Sequence, residues 1–173
     1  GQVTDNICTG NRYGILLQAG CTRNILSMNI LTANREAILL EEAAGNSLCW
    51  NIINNDCSSC PWFHFCHTGI HLVNSPDTIV TGNTVVNNII TIVIEHSENV
   101  TISQNTLAGC GWHGLFCLED SAGCTLQDNI VKGDSVFLED SAGCTLQANI
   151  IAGQGVSLYD SGGSILVGNT FSG

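Results

Sequence analysis

Residues 118–129 read LEDSAGCTLQDN and residues 138–149 read LEDSAGCTLQAN, the same phrase displaced by 20 positions, and a worn third copy, LYDSGGSILVGN, starts at Leu158. A displacement that keeps nearly every side chain in phase marks one supersecondary unit stacked on itself. The chain is therefore a repeat array before it is anything else.

The array covers the whole chain when it is anchored on an asparagine followed by Ile or Thr: Asn6, Asn29, Asn51, Asn83, Asn105, Asn129, Asn149 and Asn169, in steps of 23, 22, 32, 22, 24, 20 and 20. Each unit carries short runs in which apolar and polar residues alternate, as in Val100 and Ile102 around Thr101, or Val136 and Leu138 around Phe137. That is the period of a strand. Gly follows the anchor by four residues in several units (Gly10, Gly109, Gly133, Gly153, Gly173), and Ser, Gly or Asp clusters precede the middle run, so tight turns punctuate each unit. Coils of 20–24 residues with three short strands predict a parallel β-solenoid with rungs about 4.8 Å apart. The anchor asparagines then form a ladder of stacked amides, each side chain both donating and accepting, which offsets the roughly 1–3 kcal/mol that an unpaired buried polar group costs.

The phrases SENVTISQNTLAG (Ser97 to Gly109) and SPDTIVTGNTV (Ser75 to Val85) resemble the right-handed parallel β-helix repeats of the carbohydrate-binding and sugar-hydrolase group. That group includes the periplasmic β-helix proteins of nitrous oxide reductase maturation. The resemblance spans nearly all 173 residues. It implies an all-β, right-handed parallel β-helix of about eight coils, one domain over 1–173, and the 32-residue step of the repeat holds an inserted Cys-rich loop at 55–69. It specifies activity only weakly, because such coils occur in lyases, epimerases, adhesins and structural proteins.

No stretch approaches the roughly 18 uninterrupted apolar residues of a membrane helix, so the chain is not expected to span a membrane. Fifteen acidic residues stand against only Arg12, Arg23, Arg35 and Lys132, for a net charge of −11. Four cations cannot neutralise a phosphate backbone, which excludes nucleic acid as a partner. The chain starts at Gly1 with no charged-then-apolar leader, as a processed mature chain or an excised piece would, and this points to export. Ten cysteines in an exported repeat protein point to disulfides and to an extracellular or cell-envelope location.

The cysteines fall into two kinds. Cys124 and Cys144 share the slot of Val100, five residues before the anchor, so they point inward one rung apart. A bridge and a pair of buried thiols are both open there, because parallel Cβ vectors do not converge. Cys117 falls in the outward slot of Phe137 and Ser157, suited to a bond with a neighbouring molecule. The insert reads CSSCPWFHFCH, with Cys57, Cys60, Cys66, His64 and His67. These residues suit zinc, but the usual long spacer is missing, so disulfides are the stronger reading. Cys57, Cys60, Cys66, Cys117, Cys124 and Cys144 are the disulfide candidates.

Registering the repeats puts Glu95, Glu119 and Glu139 in one column and Asp120, Asp140 and Asp160 in the next. Calcium fits such oxygen ligands, although a solvated acidic corner is the plainer reading. No resident cofactor is expected.

A catalytic reading fares poorly. Lys132 is the only basic residue after Arg35, so the Arg or Lys base of β-helix lyases is missing. The polygalacturonase-like and epimerase-type signatures are absent apart from Gly111-Trp112-His113-Gly114. His71, His96 and His113 then read as surface or turn residues, and the chain as not an enzyme.

Neither end of the sequence carries a capping helix or a charged plug, and an open rung offers unpaired backbone groups to another rung. These properties are similar to those of the cysteine-containing, β-rich proteins that build the tubular sheaths of chain-forming methanogenic archaea. The sequence therefore predicts an extracellular structural protein whose partners are copies of itself, stacked head to tail and cross-linked by cysteines into a sheath, surface layer or fibre. The alternative is a carbohydrate-binding or carbohydrate-processing β-helix, lyase-like or epimerase-like, with Trp50, Trp62 or Trp112 as sugar platforms.

Overall fold

The computed structural model describes residues 1–55, 67–110, 115–133 and 135–173. They form three parallel sheets wound as one β-solenoid, and each turn of the chain, a rung, gives one strand to each sheet. No helix occurs among the described residues. The first sheet runs Gln2–Thr4, Ile25–Ser27, Ser47–Cys49, Ile79–Thr81, Thr101–Ser103, Thr125–Gln127, Thr145–Gln147 and Ile165–Val167. The second runs Ile7–Thr9, Ile30–Thr32, Ile52–Asn54, Thr84–Asn88, Thr106–Gly109, Ile130–Lys132, Ile150–Ala152 and Thr170–Ser172. The third has seven longer strands: Tyr13–Leu17, Glu36–Glu41, Thr68–Val73, Ile90–Glu95, Leu115–Glu119, Ser135–Glu139 and Gly155–Tyr159.

Register follows the repeat. Thr125 pairs with Thr145, and Ile130 with Ile150. A three-residue strand turns only its middle side chain inward, so the first sheet contributes Leu26, Leu48, Val80, Ile102, Leu126 and Leu146 to the core, all 2% exposed or less. The second contributes Leu31, Ile53, Val85, Leu107, Val131 and Ile151, and the third two per strand, such as Ile70 with Leu72 and Ile92 with Ile94. Each such side chain is worth about 1.5–3 kcal/mol in removed apolar surface.

The corners hold the polar half of the interior. Between the first and second sheets a residue in the left-handed region (Met28, Trp50, Gln104, Asp128 and Ala148 among them) bends the chain and is followed by the anchor asparagine. Asn51 is typical: its N–H and Nδ2 both donate to Asn83 Oδ1, at 2.9 and 3.0 Å, and Nδ2 also reaches back to Leu26 O at 2.9 Å. The same pattern links Asn29, Asn83, Asn105, Asn129 and Asn149 to the asparagine one rung on. A second amide column fills the corner between the second and third sheets, from Asn11 through Asn34 and Asn55 to Asn88. At the third corner the ladder is built of serines. The N–H groups of Ser75, Ser97, Ser121 and Ser141 each donate to the next rung's serine Oγ, at 2.8–3.1 Å.

Cys124 and Cys144 stack in the slot between Val100 and Ser164 and are both 0% exposed. As disulfide candidates they are corrected: both are free thiols, since in-register parallel strands hold their Cβ atoms side by side rather than turned toward each other. Their Sγ atoms donate to Ser97 O and Ser121 O, each at 3.5 Å. A hydrogen bond from Cys124 brings the Cys144 thiol down to about 7 against the opposing effect of burial, helped by the backbone N–H groups of Cys124 and Gly123. The same sharing, with burial, pushes the Cys124 thiol up. Cys8, Cys21 and Cys49 are also free, whereas Cys110 is disulfide-bonded. Cys57, Cys60, Cys66, the side chain of Cys117, and with them the zinc-type reading of the insert, lie outside the described residues.

In the last rung the inward side chains Leu158, Leu166 and Phe171, whose counterparts in the inner rungs are buried, are 45%, 40% and 51% exposed.

Candidate functional site

The third sheet has the longest strands, and its outer face gathers ionisable side chains from successive rungs. Leu39, His71 and Val93 follow one another up a single outward column, with Cys117 and Phe137 continuing it in register. Leu39 and Val93 are each 8% exposed, so the imidazole of His71 lies between two buried apolar side chains. Glu36, at the start of the strand one rung before, places Oε2 3.2 Å from His71 Nδ1. Glu95, at the end of the strand one rung after, places Oε1 3.6 Å from Nε2. Nε2 itself is buried and makes no hydrogen bond.

This is an orienting carboxylate, an imidazole and a second carboxylate drawn from three consecutive rungs. The Glu36 contact fixes Nδ1–H as the donor and leaves Nε2 to take or give a proton, the arrangement that lets histidine act in general acid–base chemistry. Burial alone would lower the His71 pKa. The hydrogen bond to Glu36 and the charge of Glu95 outweigh it, and the net shift is upward. A raised folded-state pKa means that the stabilising contribution is full below the unfolded value of about 6.5 and is lost as pH rises through the folded value. A proton NMR titration of His71 is expected to show a pKa above that of a free histidine, with Glu36→Gln and Glu95→Gln each moving it down; a value at or below the free one contradicts the clamp.

An acidic edge borders the site. Glu95, Glu119 and Glu139 pair rung to rung, and Asp120, Asp140 and Asp160 occupy the left-handed corner position that follows them. His96 takes the same corner position one rung earlier, its Nδ1 3.3 Å from Asp120 Oδ2. Farther along this edge a shallow cleft is lined by Gln18, Ala19, Glu41 and Glu42, with Gln18 Nε2 donating to Glu41 Oε2 at 3.1 Å. Among the described residues no group of three or more His, Cys, Asp and Glu side chains is arranged to hold a metal ion, so the acidic columns do not form a calcium cage there.

Of the histidines read as surface or turn residues, His96 is an exposed corner residue, but His71 sits in mid-strand and is held by two carboxylates. The signal that could have found it was its alignment with Leu39 and Val93 in the repeat. Trp50 is exposed at a different corner, its ring against Gly82, so it is not part of this face. Trp62, Trp112 and His113 lie outside the described residues.

Comparison with known proteins extends the picture. A family model described as periplasmic copper-binding protein (NosD) matches residues 1–64 and 62–173. No curated protein matches the sequence. Among solved structures, a provisionally assigned glycosyl hydrolase from Parabacteroides merdae ATCC 43184 superposes with a TM-score of 0.62 at 10% identity, over 86% of this chain and 83% of its own. A double mutant of the periplasmic alginate epimerase AlgG superposes with a TM-score of 0.59 at 19% identity, over 98% of this chain and 39% of its own. At these identities the likeness is one of fold. The expectation that the chain is not an enzyme is overturned by these matches. Scarcity of cations and the absence of familiar motifs were its grounds, yet the coils superpose on those of carbohydrate-processing proteins.

Proposed function

The chain belongs to the periplasmic copper-binding protein (NosD) family, and on that footing we propose a cell-envelope β-helix that binds and processes a carbohydrate along the outer face of its third sheet. His71 is the proton-transfer group, Glu36 orients it, and Glu95 stabilises its charged form. The observation that carries this reading is the imidazole held between two carboxylates from neighbouring rungs, with one ring nitrogen free of hydrogen bonds. The shared coil of a glycosyl hydrolase and an epimerase supports it. A rung spacing of about 4.8 Å lets a linear glycan lying along the axis meet equivalent side chains at each step.

The charge narrows the substrate. With 15 acidic residues against four basic ones, and carboxylates stacked along the edge, the face repels a polyuronate and favours an uncharged glycan. The test is to incubate the purified chain with neutral polysaccharides and, in parallel, with polyuronates. New reducing ends, unsaturated products and altered sugar stereochemistry are followed together. Turnover of a neutral glycan is the expected result; neither turnover nor retention on any polymer sinks the reading.

Association with further copies of the chain is a separate proposal, decided by light scattering across concentration: a monomer throughout ends it.

A further inference from the structure

Proton transfer at His71 makes no use of Trp50. This residue belongs to the same rung as His71, the rung of Ser47–Cys49, Ile52–Asn54 and Thr68–Val73, but stands at the corner between the first and second sheets, opposite the third. Its side chain is 61% exposed, yet it is seated and not loose. One rung on, the corner position is held by Gly82 at φ +65°, and a Cβ there would come within 2.6, 2.7 and 2.9 Å of the indole atoms Cε3, Cζ3 and Cδ2. Adjacent ring atoms at nearly one distance put the glycine under the face of the ring, since a contact at the edge would favour one atom strongly. One face of the indole is therefore covered by backbone, and the other is turned to solvent. The surroundings are polar without charge. Outward Thr81 and Thr84 flank the Gly82 corner, and Ser103 and Thr106 follow one rung on, with exposed Gln104 between them. Ser103 Oγ donates to Thr81 Oγ1 at 3.0 Å, which steadies both hydroxyls. Met28, one rung before, and Ile52, on the same rung, extend the apolar surface of the ring. In a chain of net charge −11, the stretches 25–32, 47–54, 79–88 and 101–109 hold no charged residue.

We propose that Trp50 is a stacking platform for a pyranose ring of a neutral glycan, a second binding site on the side of the coil away from His71. The axial C–H groups of a pyranose carry partial positive charge and pack on the negative face of an aromatic ring, while its equatorial hydroxyls reach the polar rim. A polyuronate or an anionic lipid finds no cation here to receive its charge, and a second copy of the chain would bring its own carboxylates to a surface that has none. Standing on the opposite side of one rung, the platform holds one stretch of polymer and leaves the His71 face open to another, so the two contacts reinforce each other through effective concentration. The inference needs binding alone and does not rest on turnover at His71.

The full chain is run by affinity electrophoresis through gels containing a galactomannan, a xyloglucan or a hydroxyethylcellulose, alongside Trp50→Ala, Trp50→Phe, Gly82→Ala and His71→Gln. Retardation of the parent in at least one gel is expected. Trp50→Ala should weaken it by about 10-fold or more, as truncating an aromatic anchor does, while Trp50→Phe keeps part of it and His71→Gln keeps it. Gly82→Ala tests the seat. Ala148 holds the same corner position at φ +53°, so the fold accepts alanine there, and the added methyl group should lift the indole and weaken binding with the ring still present. A second measurement uses the unaltered chain: in its proton–nitrogen NMR spectrum the indole N–H signal of Trp50, assigned through Trp50→Phe, should move when a hexasaccharide of the retarding polymer is added. No retardation of the parent in any gel, equal retardation of parent and Trp50→Ala, or a Trp50 signal that moves only with protein concentration or with vesicles of neutral lipid overturns the platform. Its failure is distinct from that of the catalytic reading. A chain that binds through Trp50 and turns nothing over loses the His71 chemistry alone, whereas one that turns a glycan over and binds equally well as Trp50→Ala loses the platform alone.

Discussion

Replacing Asn105 with alanine is expected to lower the unfolding free energy by about 3 kcal/mol or more, whereas Asn6→Ala should cost under about 1 kcal/mol. The two asparagines occupy the same repeat position, so the contrast isolates the ladder. Asn105 is 1% exposed, and its Oδ1 receives both the N–H and the Nδ2 of Asn83, at 2.9 and 3.1 Å. Its Nδ2 donates to Val80 O at 2.9 Å and to Asn129 Oδ1 at 3.0 Å. Alanine removes all four bonds and strands the buried N–H of Asn83, a group with no route to water. Asn6 is exposed, and its side chain has only Thr4 O and Asn29 Oδ1 to serve. Asn105→Asp should not rescue stability, since it restores the acceptor but removes both donors and brings a charge into the core. Urea unfolding midpoints of the variants measure this; equal losses at the two positions would mean that the amide column contributes little.

The second large effect concerns turnover. On whichever glycan the protein processes, His71→Gln should lower kcat by about 10²- to 10⁴-fold with little change in KM, as loss of a proton-transfer group does. Glu36→Gln should act more gently and through a different signature. It leaves the imidazole in place but removes the carboxylate that fixes its tautomer, so the pH–rate profile shifts along with a fall in kcat. Added imidazole should partly restore His71→Gly and leave Glu36→Gln unchanged. A His71 variant with parental kcat removes this residue from the chemistry whatever the substrate proves to be.

Much of this architecture is legible in the sequence, because a solenoid writes its register directly into its spacing. The 20-residue offset between the two LEDSAGCT phrases is the pairing offset of Thr125 with Thr145, and the alternation around Thr101 and Phe137 gives the inward and outward sides. What escaped the reading has physical causes. The column from Asn34 through Asn55 to Asn88 crosses the long insert, so Asn55 and Asn88 stand 33 residues apart and follow no regular step. Taken alone along the chain His71 reads as a surface residue, but its chemistry comes from Glu36 and Glu95, one rung to either side, and the insert disguises the first as a residue 35 positions away. A search for motifs along the chain cannot see a site assembled up the axis. The cysteine pair shows the opposite limit: spacing placed both sulfurs in the core, but only Cβ direction decides between a bridge and two thiols.

The amide column also gives the coil an arrow. Every amide-to-amide bond in the column runs from one asparagine to the Oδ1 of the asparagine one rung on, and none runs the other way. Nδ2 also reaches back to a backbone carbonyl of the preceding rung. The small dipoles of the amide links therefore add along the axis instead of cancelling as they do in the strands. Such a stack can be lengthened only by a coil of the same sense. Turned end for end, a coil would set one row of lone pairs against another, and a mirror-like joint between two such columns is forbidden by the chemistry of a single side chain.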